Sequence, residues 1–192
     1  MIYSVSGKLA LKSEHFVVIE VHGVGFKISV GSRVQRALPA VGLETKLFSH
    51  LQPREDSMEL YGFSSEAELR FFELLISVTG VGPRSALAIM DVADLKQLSA
   101  AIKENRPDLL TRASGIGRKT AERIILELRG KVDAAASGEI VSAMESDVDL
   151  IETLVGLGYR REEAKAALGR VDVKIEGVEE RLKAALKILG RK

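Results

Sequence analysis

Two stretches of the chain repeat one another at a spacing of 35 residues: "TGVGPRSALAIM" from Thr79 to Met90 and "SGIGRKTAERIILELRG" from Ser114 to Gly130. The shift lays Gly80 on Gly115, Gly82 on Gly117, Arg84 on Lys119, Ser85 on Thr120, Ala86 on Ala121 and Ile89 on Ile124. Such a match marks a duplicated supersecondary unit and not two unrelated turns. In each copy Gly-x-Gly runs straight into a helical pattern. Pro83 suits a first helical turn, and Ala121, Ile124, Ile125 and Leu128 follow the 3, 4, 7 spacing, with Gly130 as a stop.

Glycine permits positive φ and carries no side chain to hold another molecule off the backbone. Placed before a helix, Gly-x-Gly turns its amides into the space already served by the unpaired N–H groups of the first turn. That geometry grips a phosphate oxygen without reading a base. Gly80, Gly82, Arg84 and Ser85 are the candidate phosphate ligands of the first copy. Gly115, Gly117, Arg118, Lys119, Thr120 and Arg123 are those of the second. Two such grips on neighbouring stretches of backbone predict duplex binding that ignores sequence.

Other uses of glycine fit less well. A Walker A loop needs four residues between its glycines and then Lys-Ser/Thr; Gly115 to Thr120 is too short and places Arg118 after the second glycine. A dinucleotide fingerprint wants a preceding strand and a third glycine, where Ser85 and Thr120 stand. "GIGRKTA" also looks like the hairpin of base-excision glycosylases, with Lys119 as an amine nucleophile. Those enzymes need a catalytic Asp beyond the next helix, where this chain offers only Asp133, and many add a Cys cluster. The chain contains no cysteine, which removes disulfides, thiolates and iron–sulfur clusters. Its histidines, His15, His22 and His50, share no metal-ligand spacing, so no metal or other cofactor is expected.

The 192 residues carry a net charge of only +1. Residues 64–132 hold eleven Lys/Arg against nine Asp/Glu, the one distinctly positive segment, so any nucleic-acid contact must be local and geometric. There is no apolar run of transmembrane length and no secretory-type leader, from which a cytoplasmic protein with no membrane partner is expected.

Three parts follow one another, an α+β multidomain plan. Residues 1–63 are rich in β-branched residues and alternations: "HFVVIEVHGVGFKISV" sets Val17, Ile19 and Val21 against Phe16, Val18 and Glu20, turns near Gly23 to Gly25, and returns through Phe26, Ile28 and Val30. Five short strands predict a barrel of the OB-fold type. Residues 64–132 read as helices, opened by a capping box at Ser65 and Glu68 and continued past an Asp94 cap. Residues 133–146, small and polar, predict a flexible linker. Residues 147–192 fit a three-helix bundle with helices over 148–156, 161–169 and 178–189.

A five-stranded barrel, tandem helix-hairpin-helix repeats and a small C-terminal bundle, in that order, resemble the RuvA family of bacterial Holliday-junction branch-migration proteins. The resemblance spans the whole chain and rests on "VIEVHGVGFKI", "REDSMELYGF", "GVGPRSALAI" and "GIGRKTAERIILELRG". It implies a homotetramer, one or two to a junction, on which a four-way DNA junction is spread open for recombination and repair. It implies the ring ATPase RuvB as motor, docked through the C-terminal bundle, and the resolvase RuvC as a further partner. Glu55 and Asp56, on the turn between the last two strands, match the family's acidic pair at the junction centre. "GLGYRREEA" resembles the first loop of ubiquitin-associated (UBA-like) bundles and makes Leu157 and Tyr159 candidates for partner contact. A non-enzymatic junction-binding subunit is therefore expected. The alternatives are a Lys119-dependent glycosylase/lyase and a generic helix-hairpin-helix scaffold of a repair nuclease.

Overall fold

The computed structural model describes residues 2–132, 137–171, 175 and 178–190, and of residues 137–146 the backbone alone. The chain divides into two compact units, Met1–Ala135 and Ala136–Lys192.

In the first unit, strands β1 (Ser4–Lys12), β2 (Phe16–Val21) and β3 (Val24–Val30) are followed by a short helix α1 (Ser32–Ala37) and by β4 (Glu44–Pro53) and β5 (Met58–Phe63). They close in the order β1-β2-β3-β5-β4, with β4 returning to β1, the OB-type barrel expected from the alternation. A bulge between Leu9 and Leu11 lets one strand serve two neighbours: the first half of β1 pairs with β4 and its second half with β2. β2 and β3 are joined by His22 and Gly23, both at positive φ (49° and 83°), the two-residue hairpin that matches strand twist. The parallel β3–β5 pairing, Ile28 opposite Leu60, completes the ring. Val5, Leu9, Val17, Ile19, Ile28, Val30 and Leu47 fill its interior, so of the two faces that the "HFVVIEV" alternation sets apart the one with Val17 and Ile19 is buried.

Helices α2 (Glu66–Ile76), α3 (Pro83–Val92), α4 (Leu95–Lys103), α5 (Pro107–Leu110) and α6 (Arg118–Leu128) follow. Ser65 caps α2 by accepting from the Glu68 amide, while the Glu68 carboxylate takes the Ser64 amide in place of the Ser65 amide of a capping box. Asp94 and Gln97 form the full reciprocal box on α4. Asn105, at φ 56°, ends α4 with the Arg106 amide donating to Ala101 and its own to Ile102, a Schellman stop. Pro107 stands where Phe72 stands in the first copy, and the helix before the second hairpin shrinks to the single turn of α5.

The second unit holds α7 (Ser137–Gly156), α8 (Arg161–Leu168) and α9 (Val178–Leu189), close to the three helices expected. The difference lies at the start. Residues 133–136 of the expected linker fall outside the described residues, but from Ser137 the backbone is helical, so α7 begins ten residues before Asp147. Ala, Glu and Met in "GEIVSAMESD" are strong helix formers, and continuity with the packed part of the helix carries them. Leu150, Leu154, Ala164, Ala167, Leu168 and Ala185 make the bundle core. Among the described residues no helix is long and apolar enough to cross a membrane.

Candidate nucleic-acid interface

The repeat in sequence is a repeat in geometry. Gly80 and Gly115 sit at φ 88° and 80°, a left-handed conformation that the tight turn requires and that costs any other residue roughly 1–2 kcal/mol. Between each glycine pair the middle side chain points inward: Val81 is 5% exposed and Ile116 6%. Each is anchored by the same backbone bond, Val81 N–H to Val78 O (3.0 Å) and Ile116 N–H to Ala113 O (3.1 Å). Gly82 and Gly117 then cap α3 and α6 with φ, ψ of −88°, 169° and −82°, 166°. Neither helix has a side-chain cap, so the amides of its first turn point outward with no intrahelical partner.

A side chain added at Gly82, Gly115 or Gly117 would meet nothing within 4 Å. The hairpins are therefore turned to solvent and not against the protein. Below them Ala86, Ile89, Ala121 and Ile124 are fully buried, which fixes each cradle on the core of the unit.

The candidate cations are deployed differently in the two copies. Arg84 and Lys119 occupy equivalent exposed positions, and among the described residues neither makes an ion pair. Arg118 is exposed but its guanidinium pairs with Glu122 at 2.9 Å, one helical turn on. Arg123 departs from expectation. It donates to the Thr79 carbonyl at 3.0 Å, and its Nη1 lies 3.6 Å from where a Cβ on Gly80 would stand. It thus lies beside the first cradle and ties it to the helix of the second. Sequence reasoning grouped it with the second hairpin, because a partner 44 residues away leaves no trace in local spacing. Ser85 and Thr120 are half-buried at the third helical residue.

Glu55 and Asp56 lie at the tip of the β4–β5 hairpin, both exposed. The turn is closed by the Arg54 N–H to Ser57 O bond (2.8 Å), and the Ser57 hydroxyl donates to Asp56 Oδ1 (3.3 Å). Arg54, the nearest cation in sequence, reaches Glu59 instead (3.2 Å). Among the described residues Glu55 and Asp56 have no ion-pair partner, so their charge is carried outward uncompensated. Between strands β3 and β5 of the barrel and helix α3 runs a cleft of about 740 Å³ that Met58, Tyr61, Lys27 and Arg84 help to line. Burial, and then the hydroxyl's bond to Glu59 (2.8 Å), push the Tyr61 phenol up to about 12.

In the second unit α7 ends in a Schellman motif: Tyr159 N–H to Leu154 O, Gly158 N–H to Val155 O, and Gly158 at φ 96°. The motif separates the two residues singled out there. Tyr159 packs on the bundle core, whereas Leu157 is 59% exposed. Among the described residues no group of three potential metal ligands comes together.

These parts match known family models in chain order. Residues 1–62 match the RuvA N terminal domain, residues 72–131 the SAM-like helix-hairpin-helix tandem, and residues 148–190 the RuvA C-terminal domain. The chain belongs to the RuvA family. It is similar over its whole length to proteins named Holliday junction branch migration complex subunit RuvA: 42% identical over 191 residues to that of Bordetella pertussis, with all of both chains covered. The identity is 40% over 195 residues for that of Herpetosiphon aurantiacus, with 99% of each chain covered. That of Caldanaerobacter subterraneus is 42% identical over 177 residues, with 91% of each covered. RuvA membership disfavours the glycosylase alternative for Lys119. The Asp133 on which that alternative leaned lies outside the described residues.

Proposed function

We propose that this chain is the junction-binding subunit of a branch-migration complex, holding a four-way DNA junction open and flat for a ring ATPase. The observation that carries the reading is the pair Gly82 and Gly117. Their backbone angles are ordinary extended ones, the space beside them is open, and the position they hold is one where Ser, Asp or Asn caps somewhat better than Gly. Nothing in the fold asks for glycine at either place. A phosphate that must come up against the amides does, and it asks twice, at equivalent points of a duplicated unit. The names of the relatives support the four-way junction as the DNA concerned.

The hairpins supply affinity, through Gly80, Gly82, Arg84 and Ser85 on one duplex stretch and Gly115, Gly117, Arg118, Lys119 and Thr120 on the next. Glu55 and Asp56 supply the preference. In a fourfold assembly of this chain eight carboxylates gather at the centre. Two unit charges about 10 Å apart repel by about 0.4 kcal/mol in water and about 1.7 at an effective dielectric of 20. Summed over pairs within a Debye length, that favours DNA whose strands diverge around the centre and penalises a continuous duplex. The chain itself is non-catalytic. The C-terminal bundle, with Leu157 exposed on it, couples to the RuvB-type motor that spends ATP, and RuvC-type resolvase joins the same complex.

The test is Glu55→Gln with Asp56→Asn, assayed against a four-way junction and a linear duplex of the same sequence. Duplex binding should strengthen and the preference for the junction shrink. Unchanged binding of both substrates refutes the role of the acids.

A further inference from the structure

The barrel and the helical part of the first unit are fastened at several places. At one the chain itself passes from β5 into α2, where the Phe72 ring stacks on Tyr61 (centroids 5.4 Å apart) and packs on Phe63 (4.8 Å). There His50 Nδ1 also lies 3.1 Å from Glu73 Oε1. Another has no chain connection. Asp91, near the end of α3, accepts the amide of Ser32 at 2.9 Å with one carboxylate oxygen and that of Arg33 at 3.2 Å with the other. These are the first residues of α1, whose own capping residue, Gly31, has no side chain to offer. Gly31 is buried, and a Cβ on it would stand 2.7 Å from Asp91 Oδ1. The carboxylate occupies the place a side chain at 31 would need.

The duplication supplies an internal control. The position equivalent to Asp91 in the second copy is Leu126, which is 82% exposed. A helix-hairpin-helix unit therefore forms without a carboxylate there, and Asp91 answers to the barrel and not to its own repeat. Its position on α3 gives it leverage. The first cradle is at the other end of the same helix, eight residues away, or about 12 Å at 1.5 Å per residue; a tilt of about 10° at the fastening moves the cradle by about 2 Å. Hydrogen bonds to a phosphate do not survive a shift of that size.

We infer that Asp91 is a positioning residue for junction recognition: by bonding the Ser32 and Arg33 amides it fixes the first phosphate cradle relative to the acidic turn on the barrel. The inference rests on the reading of hairpins and acids given above. A linear duplex can adjust its path to a cradle that has moved, whereas a junction must meet cradles and acidic turn together. Loss of the fastening therefore bears on junction preference and spares duplex binding.

The experiment compares wild type, Asp91→Ala, Gly31→Ala, the double variant and Asp91→Asn in the full chain. Amide hydrogen exchange at Ser32 and Arg33 reads the fastening, with the Leu9 and Ile19 amides as a check on the barrel, and binding is measured to a four-way junction and to linear duplex. Asp91→Ala and Gly31→Ala should each speed exchange at the two amides, leave duplex affinity within about twofold, and cut junction-over-duplex preference by about fivefold or more. The double variant should be no worse than Asp91→Ala, because Gly31→Ala acts by displacing the same carboxylate. Asp91→Asn, which keeps one acceptor oxygen, should recover part of the preference. Faster exchange with junction preference intact, or unchanged exchange, overturns the positioning role alone. A wild type with no junction preference overturns the functional reading, and the positioning role with it.

Discussion

Replacing Gly82 and Gly117 by serine sets stability and binding in opposite directions. Both residues have backbone angles that serine adopts without strain, and a Cβ at either meets nothing within 4 Å. Serine is a better helix cap than glycine by a few tenths of a kcal/mol, and relieving the unfolded chain of a glycine adds about 0.4–1 kcal/mol. Each substitution should therefore stabilise the protein by roughly 0.5–1 kcal/mol, read as a higher urea midpoint at unchanged slope. The new hydroxyl achieves this by taking an amide of the first turn, one of the groups assigned to the phosphate, and its Cβ fills the approach. A hydrogen bond to a charged group is worth about 1.5–3 kcal/mol. Since about 1.4 kcal/mol is tenfold, each variant should lose tenfold or more in DNA affinity by fluorescence anisotropy. A damaged fold would lower both quantities, which is why the opposed signs are diagnostic. Serine variants that are more stable and bind DNA like wild type would refute the cradle.

Two further outcomes follow from the same geometry. Lys119→Ala should flatten the slope of log affinity against log salt by roughly 0.9 for each phosphate no longer neutralised, equally for all DNA sequences, and weakening confined to one sequence would indicate base readout instead. Tyr61, whose phenol is raised from 10 to about 12 in the folded chain, contributes stability that is complete below pH 10 and is lost as pH climbs towards 12. Urea unfolding between pH 8 and 12 should show a steeper alkaline decline for wild type than for Tyr61→Phe, and parallel curves would remove Tyr61 as the cause.

What sequence made legible is what local chemistry decides. The barrel strands could be placed because alternation separates Val17, Ile19 and Ile28 from their outward neighbours, and α4 could be placed because Asp94 offers a cap just before its apolar positions. The cradles were legible because their geometry is written in glycines. The rest depends on partners distant in sequence. Helix α1 is six residues long and is capped from Asp91, 59 positions on, so its own sequence gives no start signal. The one-turn α5 owes its length to Pro107, and Arg123 serves a hairpin 44 positions back. In each case the decisive atom belongs to another element, and periodicity carries no record of it.

The distribution of charge bears on how so nearly neutral a chain could hold DNA. Arg118 is paired with Glu122, whereas Arg84, Lys119 and Arg123, whose guanidinium bonds the neutral Thr79 carbonyl, make no ion pair among the described residues. On the proposed reading one protomer offers two backbone grips and little net charge, so counterion release from a single copy is small. Tight binding must come from repetition. Several protomers on one junction convert each later contact into an intramolecular one, and that gain is realised only if all cradles meet backbone simultaneously. On the proposed reading, selectivity for DNA shape needs no base contact: weak, sequence-blind grips repeated around charges that disfavour the straight duplex would supply it.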